Sequence, residues 1–106
     1  MQGFAALADP TRRRIVEMLA TRELPAGEIA RRFDMTPPAV SQHLKLLRQA
    51  GLVQVRREAQ RRIYALDPSG LAELDAWIAR YRRFWHDHLG TLERELALRQ
   101  AQDDVR

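Results

Sequence analysis

The segment 36–51, Thr-Pro-Pro-Ala-Val-Ser-Gln-His-Leu-Lys-Leu-Leu-Arg-Gln-Ala-Gly, constrains the fold most, because it specifies a helix together with both of its ends. Thr36 suits an N-cap, Pro37 the first helical position, and Gly51 the left-handed residue just past the last turn. Val40, Leu44 and Leu47 recur at i, i+4 and i+7, a stripe that has to face a core. The opposite side carries no acid. There Thr36, Pro38, Ala39, Ser41, Gln42, His43, Lys45 and Arg48 place short side chains near the N-terminal end and hydrogen-bonding or cationic ones beyond. Small residues let a helix approach a groove, Gln pairs bidentately with adenine, and Ser or Lys reaches base edges or phosphates. A helix that reads duplex DNA needs such a surface. An ordinary amphipathic helix with a polar solvent face would also show it, so the flanking segments decide.

Upstream, residues 4–8 predict a short first helix, apolar on several sides through Phe4, Ala5, Ala6 and Leu7. Asp9-Pro10 reads as a cap followed by proline at the first helical position, opening a helix to about Ala20 with Ile15, Val16, Met18 and Leu19 inward. Arg12, Arg13 and Arg14 crowd its first turn, where cations oppose the helix dipole. That placement calls either for a nearby phosphate or for solvation, with one or two of the three paired to acids of the last helix. Pro25 begins a third helix through Phe33, with Leu24, Ile29, Ala30 and Phe33 inward, and 34–36 is the short turn into the segment above. Two short helices joined by about three residues, the second with the polar exposed face, form a helix-turn-helix.

Downstream, 52–57 and 62–66 alternate in the manner of half-buried strands and predict a β-hairpin. Its tip bristles with Arg56, Arg57, Arg61 and Arg62. After a helix-turn-helix such a hairpin is a wing, placed along phosphates or a minor groove. The other reading is an edge hairpin that uses arginines to block aggregation. The tip lacks the Asn-Gly or Asp-Gly of a favoured two-residue turn, which leaves its conformation unspecified. Asp67-Pro68 then opens a helix to about Gln100. Leu71, Leu74, Ile78, Tyr81, Trp85, His88 or Leu89, Leu92 and Leu96 recur at three- and four-residue steps, close to a coiled-coil seam, with Trp77, Phe84 and Leu98 beside them. Such a helix runs roughly 45 to 50 Å, more than the preceding domain can cover, and predicts a partner chain; the other reading is a monomer in which the helix folds back on its own core. Residues 103–106 are expected to fray.

At 106 residues the chain supports one domain, 1–106, with the reading helix at 36–50, the wing at 53–66 and a dimerisation helix at 68–100. Charge is uneven. Residues 10–66 hold twelve Lys or Arg against five acids, a net +7, whereas 67–106 hold six against eight, a net −2. A basic first part favours a polyanion, because neutralising phosphates releases counterions. With no cysteine, disulfides and thiolate ligands are excluded. No apolar run approaches the roughly 18 residues of a membrane span, so membrane insertion is not expected. The first residues carry no export pattern, which predicts a cytoplasmic protein.

The order of elements, with Leu7-Ala8-Asp9-Pro10-Thr11-Arg12-Arg13, Ser41-Gln42-His43-Leu44, Leu47-Arg48-Gln49-Ala50-Gly51-Leu52-Val53 and Tyr64-Ala65-Leu66-Asp67-Pro68, resembles the ArsR/SmtB family across nearly the entire chain. The resemblance implies a mainly α winged helix-turn-helix of order α-α-α-α-β-β-α, with a small β-hairpin and dimerisation through the first and last helices. It also implies a small dimeric repressor that binds an imperfect palindrome near a promoter, often its own, and is released by an inducer or partner. The chain departs from the metal-sensing members. Pro25 and Gly27 stand where their thiolate motif begins, and Asp75, Trp77, His88 and Thr91 stand at the four positions of their other metal site, leaving two of four ligands. His86 and His88, two apart on a helix, point in different directions and make no clamp within one chain.

The expected function is therefore a homodimeric, metal-independent repressor of double-stranded DNA without a cofactor. The assigned DNA contacts are Thr36, Pro38, Ala39, Ser41, Gln42, His43 and Lys45, with Arg56, Arg57, Arg61 and Arg62 on the wing. The dimer interface is assigned to Phe4, Leu7, Leu74, Trp77, Ile78, Tyr81, Phe84, Trp85, His88, Leu89 and Leu92. Two alternatives stand beside it: a winged-helix interaction module that reads no DNA, and a metal-responsive repressor with a non-thiolate site shared between subunits. An enzyme is not expected, since the chain has no Cys nucleophile, glycine-rich phosphate loop or His-Glu-x-x-His array. The inducing signal is not legible; a small apolar ligand between the long helices near Trp77, Phe84 and Trp85, a partner protein, and concentration-dependent autoregulation alone are all compatible.

Overall fold

Asp9 and Thr36 start the two central helices as their side chains predict. The Asp9 carboxylate accepts the Arg12 backbone N–H at 3.0 Å, and the Thr36 hydroxyl accepts that of Ala39 at 3.3 Å. In the computed structural model, which describes residues 2–104, these residues open α2 (Pro10–Thr21) and α4 (Pro37–Gln49). Before them lies α1 (Gln2–Leu7), and between them β1 (Leu24–Pro25) and α3 (Ala26–Arg31). Strands β2 (Val53–Glu58) and β3 (Arg61–Leu66) follow, and then α5 (Pro68–Asp104). The chain divides after Leu74 into two units.

In the first unit the core gathers one stripe from each element. Ile15 and Leu19 of α2, Leu24 of β1, Ile29 of α3, and Val40, Leu44 and Leu47 of α4 meet Leu52, Val53, Tyr64 and Leu74. Removing such side chains from water stabilises by about 1.5–3 kcal/mol each, which fixes the depth and rotation of α4. Its last turn closes as the sequence anticipates. The N–H of Gly51, at φ +77°, bonds to the Arg48 carbonyl, and the N–H of Leu52 bonds to that of Leu47, both at 3.0 Å. This paired closure needs a left-handed residue between helix and strand, which glycine adopts at little cost.

Three differences from the sequence reading have physical causes. Leu24-Pro25 does not begin a helix: it forms a short strand antiparallel to β3, pairing Leu24 with Tyr64 and Pro25 with Ile63. The hairpin thus becomes a three-stranded sheet of order β1-β3-β2, and α3 begins one residue later and ends at Arg31. Arg12 and Arg13 turn to backbone carbonyls. Arg12 Nε donates to the Ala6 carbonyl at 2.6 Å, and Arg13 donates to those of Leu7 and Ala8 at 2.9 and 3.2 Å. They satisfy the carbonyls that α1 leaves open at its C-terminal end, where cations are favoured. Arg14 lies over the Phe33 ring, 5.1 Å from its centroid. Within the helix that Asp67-Pro68 opens, Gly70, finally, has a packing role that no local pattern announces. It is buried against the turn after α4, so closely that a Cβ there would overlap the Gly51 carbonyl oxygen.

The second unit is the helix from Asp75 onward. Trp77 and Tyr81 rings lie 4.5 Å apart, Phe84 and His88 rings 4.0 Å, and a hydrogen bond of 3.0 Å joins His88 Nδ1 to the Phe84 carbonyl. Trp85, Leu96 and Leu98 are 60%, 53% and 65% exposed, so the apolar strip is open along its length. Helix continues through Asp104, past the expected onset of fraying; the expectation for residues 105 and 106 lies outside the described residues.

Candidate nucleic-acid interface

With Val40, Leu44 and Leu47 turned inward, helical geometry leaves Pro38, Ser41, Gln42, Lys45 and Arg48 on one outward stripe at three- and four-residue steps. Together with Arg62 and Tyr64 of β3 they line a groove of about 460 Å³. The lining therefore carries the hydroxyls of Ser41 and Tyr64, the Gln42 amide and three cations, Lys45, Arg48 and Arg62. Thr36 and Ala39 sit at the N-terminal end of the same helix. Arg48 was visible on this face of the sequence but was not assigned as a contact. Tyr64 joins the groove through a long-range pairing that no local pattern announces.

His43 takes a different position. Its side chain is 18% exposed and turned toward α2, with Nδ1 accepting from Arg12 at 3.3 Å and lying 3.8 Å from the Asp9 carboxylate. The Arg12 backbone N–H is the main cause that holds the Asp9 carboxyl below its usual range, with the Arg12 charge adding to it. His43 thus connects α4 to α2, away from the groove.

The hairpin's register separates its four arginines. Directly opposite residues share a face, and faces alternate along each strand. Val53 opposes Leu66, Val55 opposes Tyr64 and Arg57 opposes Arg62, so these two arginines continue the face that borders the groove. Arg56 opposes Ile63 and Glu58 opposes Arg61 on the other face. There Arg56 donates to both oxygens of Glu23 at 2.6 Å and to Glu58 at 3.1 Å. These bonds raise the Arg56 pKa, chiefly through Glu23, and the same hydrogen bond lowers that of Glu23. The tip is Ala59-Gln60, with Ala59 at φ +57°, a short turn that the sequence left open.

Arg61 and Arg62 also border a second cleft, of about 530 Å³, with Glu28, Arg31 and the first residues of α3. In the second unit Trp77, Ile78, Tyr81, Trp85 and Leu89 line a shallow apolar concavity of about 280 Å³ with Arg82 and His86 at its edges. Of the expected interface residues, Leu74 is already committed to the first unit's core, where it packs over Gly3, and Leu7 is half-buried beside it. Among the described residues no group of three or more His, Asp or Glu is placed to hold a metal ion, and no helix is long and apolar enough to cross a membrane.

Known proteins share this arrangement. A family model described as bacterial regulatory protein, arsR family, matches residues 9–55, from the α2 cap into β2. The HTH-type transcriptional regulator Rv2034 of Mycobacterium tuberculosis is 51% identical over 84 residues, spanning 79% of this chain and 76% of that protein. The transcriptional repressor SdpR of Bacillus subtilis is 35% identical over 78 residues, 74% of this chain and 87% of that protein. The crystal structure of an ArsR family transcriptional regulator aligns with a TM-score of 0.72 at 29% identity, covering 80% of this chain and 88% of that one. Likeness of this extent places the protein in the ArsR family of bacterial regulatory proteins as a DNA-binding transcriptional regulator, not an enzyme.

Proposed function

We propose that the protein is a homodimeric, metal-independent repressor that acts in the cytoplasm on an inverted-repeat operator. The observation that carries this reading is the groove in which Ser41, Gln42 and Lys45 face Arg62. The α4 stripe enters the major groove, where Gln42 reads an adenine edge and Ser41 and Lys45 reach bases or phosphates. Thr36, Pro38 and Ala39 approach the backbone at the helix start, while Arg48, Arg57 and Arg62 lie along phosphates. The open aromatic strip of α5 supports pairing with a second copy, since contiguous exposed apolar surface of this kind marks an interaction site. In the first unit, Phe4 of α1 is a further exposed apolar side chain. Two-fold pairing gives two reading heads, and operators of matching symmetry have half-sites about one helical turn apart.

Selection of bound duplexes from a random pool, followed by mobility-shift titration, tests the reading. An enriched inverted repeat bound by two chains is expected. A pool without enrichment, from a protein that is folded and dimeric, would instead favour an interaction module. Enrichment that zinc abolishes would favour the metal-responsive alternative.

A further inference from the structure

We propose that Arg56 serves DNA binding as a positioning residue, clamped by Glu23, and makes no phosphate contact of its own. The proposal rests on the DNA-binding reading above and concerns how the wing is held. Arg56 spends both terminal nitrogens on carboxylates: NH1 and NH2 take the two Glu23 oxygens at 2.6 Å each, and NH2 also takes Glu58 at 3.1 Å. A fork-to-fork pair of this kind is the most geometrically specific ion pair available to a side chain. Two acids around one base leave the cluster with a net −1, so an approaching phosphate meets repulsion where the sequence alone shows a cation.

Position in the sheet supports the same assignment. Arg56 lies on β2, whereas Glu23 directly precedes β1, and β3 runs between those two strands. Ile63 of β3 is the register partner of both Arg56 and Pro25 and is 5% exposed, so the clamp closes across an apolar side chain. The pairing of β1 with β3 is only two residues long. A tie between residues 33 apart in sequence fastens that weak edge and sets the attitude of the hairpin. Arg57 and Arg62, on the face toward α4, are then the wing's phosphate ligands.

The test is the salt dependence of binding to a selected duplex. The full chain is compared with Arg62→Ala, Arg56→Lys, Arg56→Ala, Glu23→Gln, and the exchanged pair Glu23→Arg with Arg56→Glu. Arg62→Ala should lower the slope of log affinity against log salt by about one. Arg56→Lys, Arg56→Ala and Glu23→Gln should each weaken binding roughly three- to tenfold with the slope unchanged, because lysine keeps the charge but cannot form the fork. The exchanged pair should recover most of the affinity. The clamp is overturned if Arg56→Ala lowers the slope by a full unit while Arg56→Lys and Glu23→Gln bind like the wild type. It is equally overturned if the exchanged pair binds worse than either single change. Failure of the wild type to prefer any duplex would remove the DNA reading itself, a result distinct from both.

Discussion

Arg57 and Arg62 stand directly opposite one another across the hairpin, two like charges on one face of the sheet. Such a pair opposes folding by roughly 0.2–1 kcal/mol unless an anion lies between the side chains. Arg62→Thr should therefore leave the free protein as stable as before, or slightly more so, in a denaturant melt. The same change should weaken all duplexes alike and flatten the salt dependence by about one unit. A melt that fell together with the affinity would show that Arg62 serves the fold instead.

Gln42 differs in kind, since an amide can distinguish bases. Gln42→Ala should cost about 1–3 kcal/mol against the preferred duplex and much less against one substituted at the contacted base pair, with the salt slope unchanged. Titration against both duplexes checks this. Equal losses on the two would remove Gln42 from base reading.

Gly70 has no room for a side chain beside the Gly51 carbonyl. Gly70→Ala should destabilise by about 1–3 kcal/mol or more, since backbone has to move to relieve the overlap. It should also weaken DNA binding, because the backbone that moves terminates α4. Gly27→Ala, where a Cβ meets open space, is the matched control. Denaturation midpoints of the two variants decide the point.

Asp9 gives the acid limb of stability a definite sign. Its folded-state pKa is lowered, first by the Arg12 N–H, so the stabilisation is complete above the unfolded-state value and is lost as pH falls through the folded one. Asp67, lowered by the hydroxyl and N–H of Ser69, behaves the same way. Urea midpoints measured between about pH 5 and pH 1 should fall less steeply in Asp9→Ala than in the wild type. Parallel curves would show that the cap carries no such linkage.

For the aromatic strip, Ile78→Glu combined with Trp85→Glu should convert a dimer into a single chain at micromolar concentration, read by light scattering after gel filtration. The first unit's melt should be preserved, because neither side chain belongs to its core. A variant that stayed dimeric would move the interface elsewhere.

What could be read beforehand followed the range of the interactions involved. The starts of α2, α4 and α5 and the end of α4 were legible because Asp9, Thr36, Asp67 and Gly51 act on backbone within four residues. The inward stripe of α4 was legible for the same reason, through helical period. Leu24-Pro25 is too short to show a strand's alternation, and its pairing with Tyr64 and Ile63 depends on a segment forty residues away. The division of the wing's arginines into two faces needed the register. The destination of Arg12 and Arg13 needed the packing of α1. Arg56 was assigned to DNA from its charge alone, whereas its partner Glu23 lies in a connection without periodicity.

Arg12 is joined both to the last turn of α1, at Ala6, and to the reading helix, at His43. If α1 sits by a two-fold axis, this guanidinium acts as a spacer whose length enters the separation of the two heads twice, once from each chain. A small error there is doubled at the DNA, against a helical repeat that does not stretch to meet it. Tolerance at residue 12 would then be set by the pitch of the duplex more than by the stability of the fold.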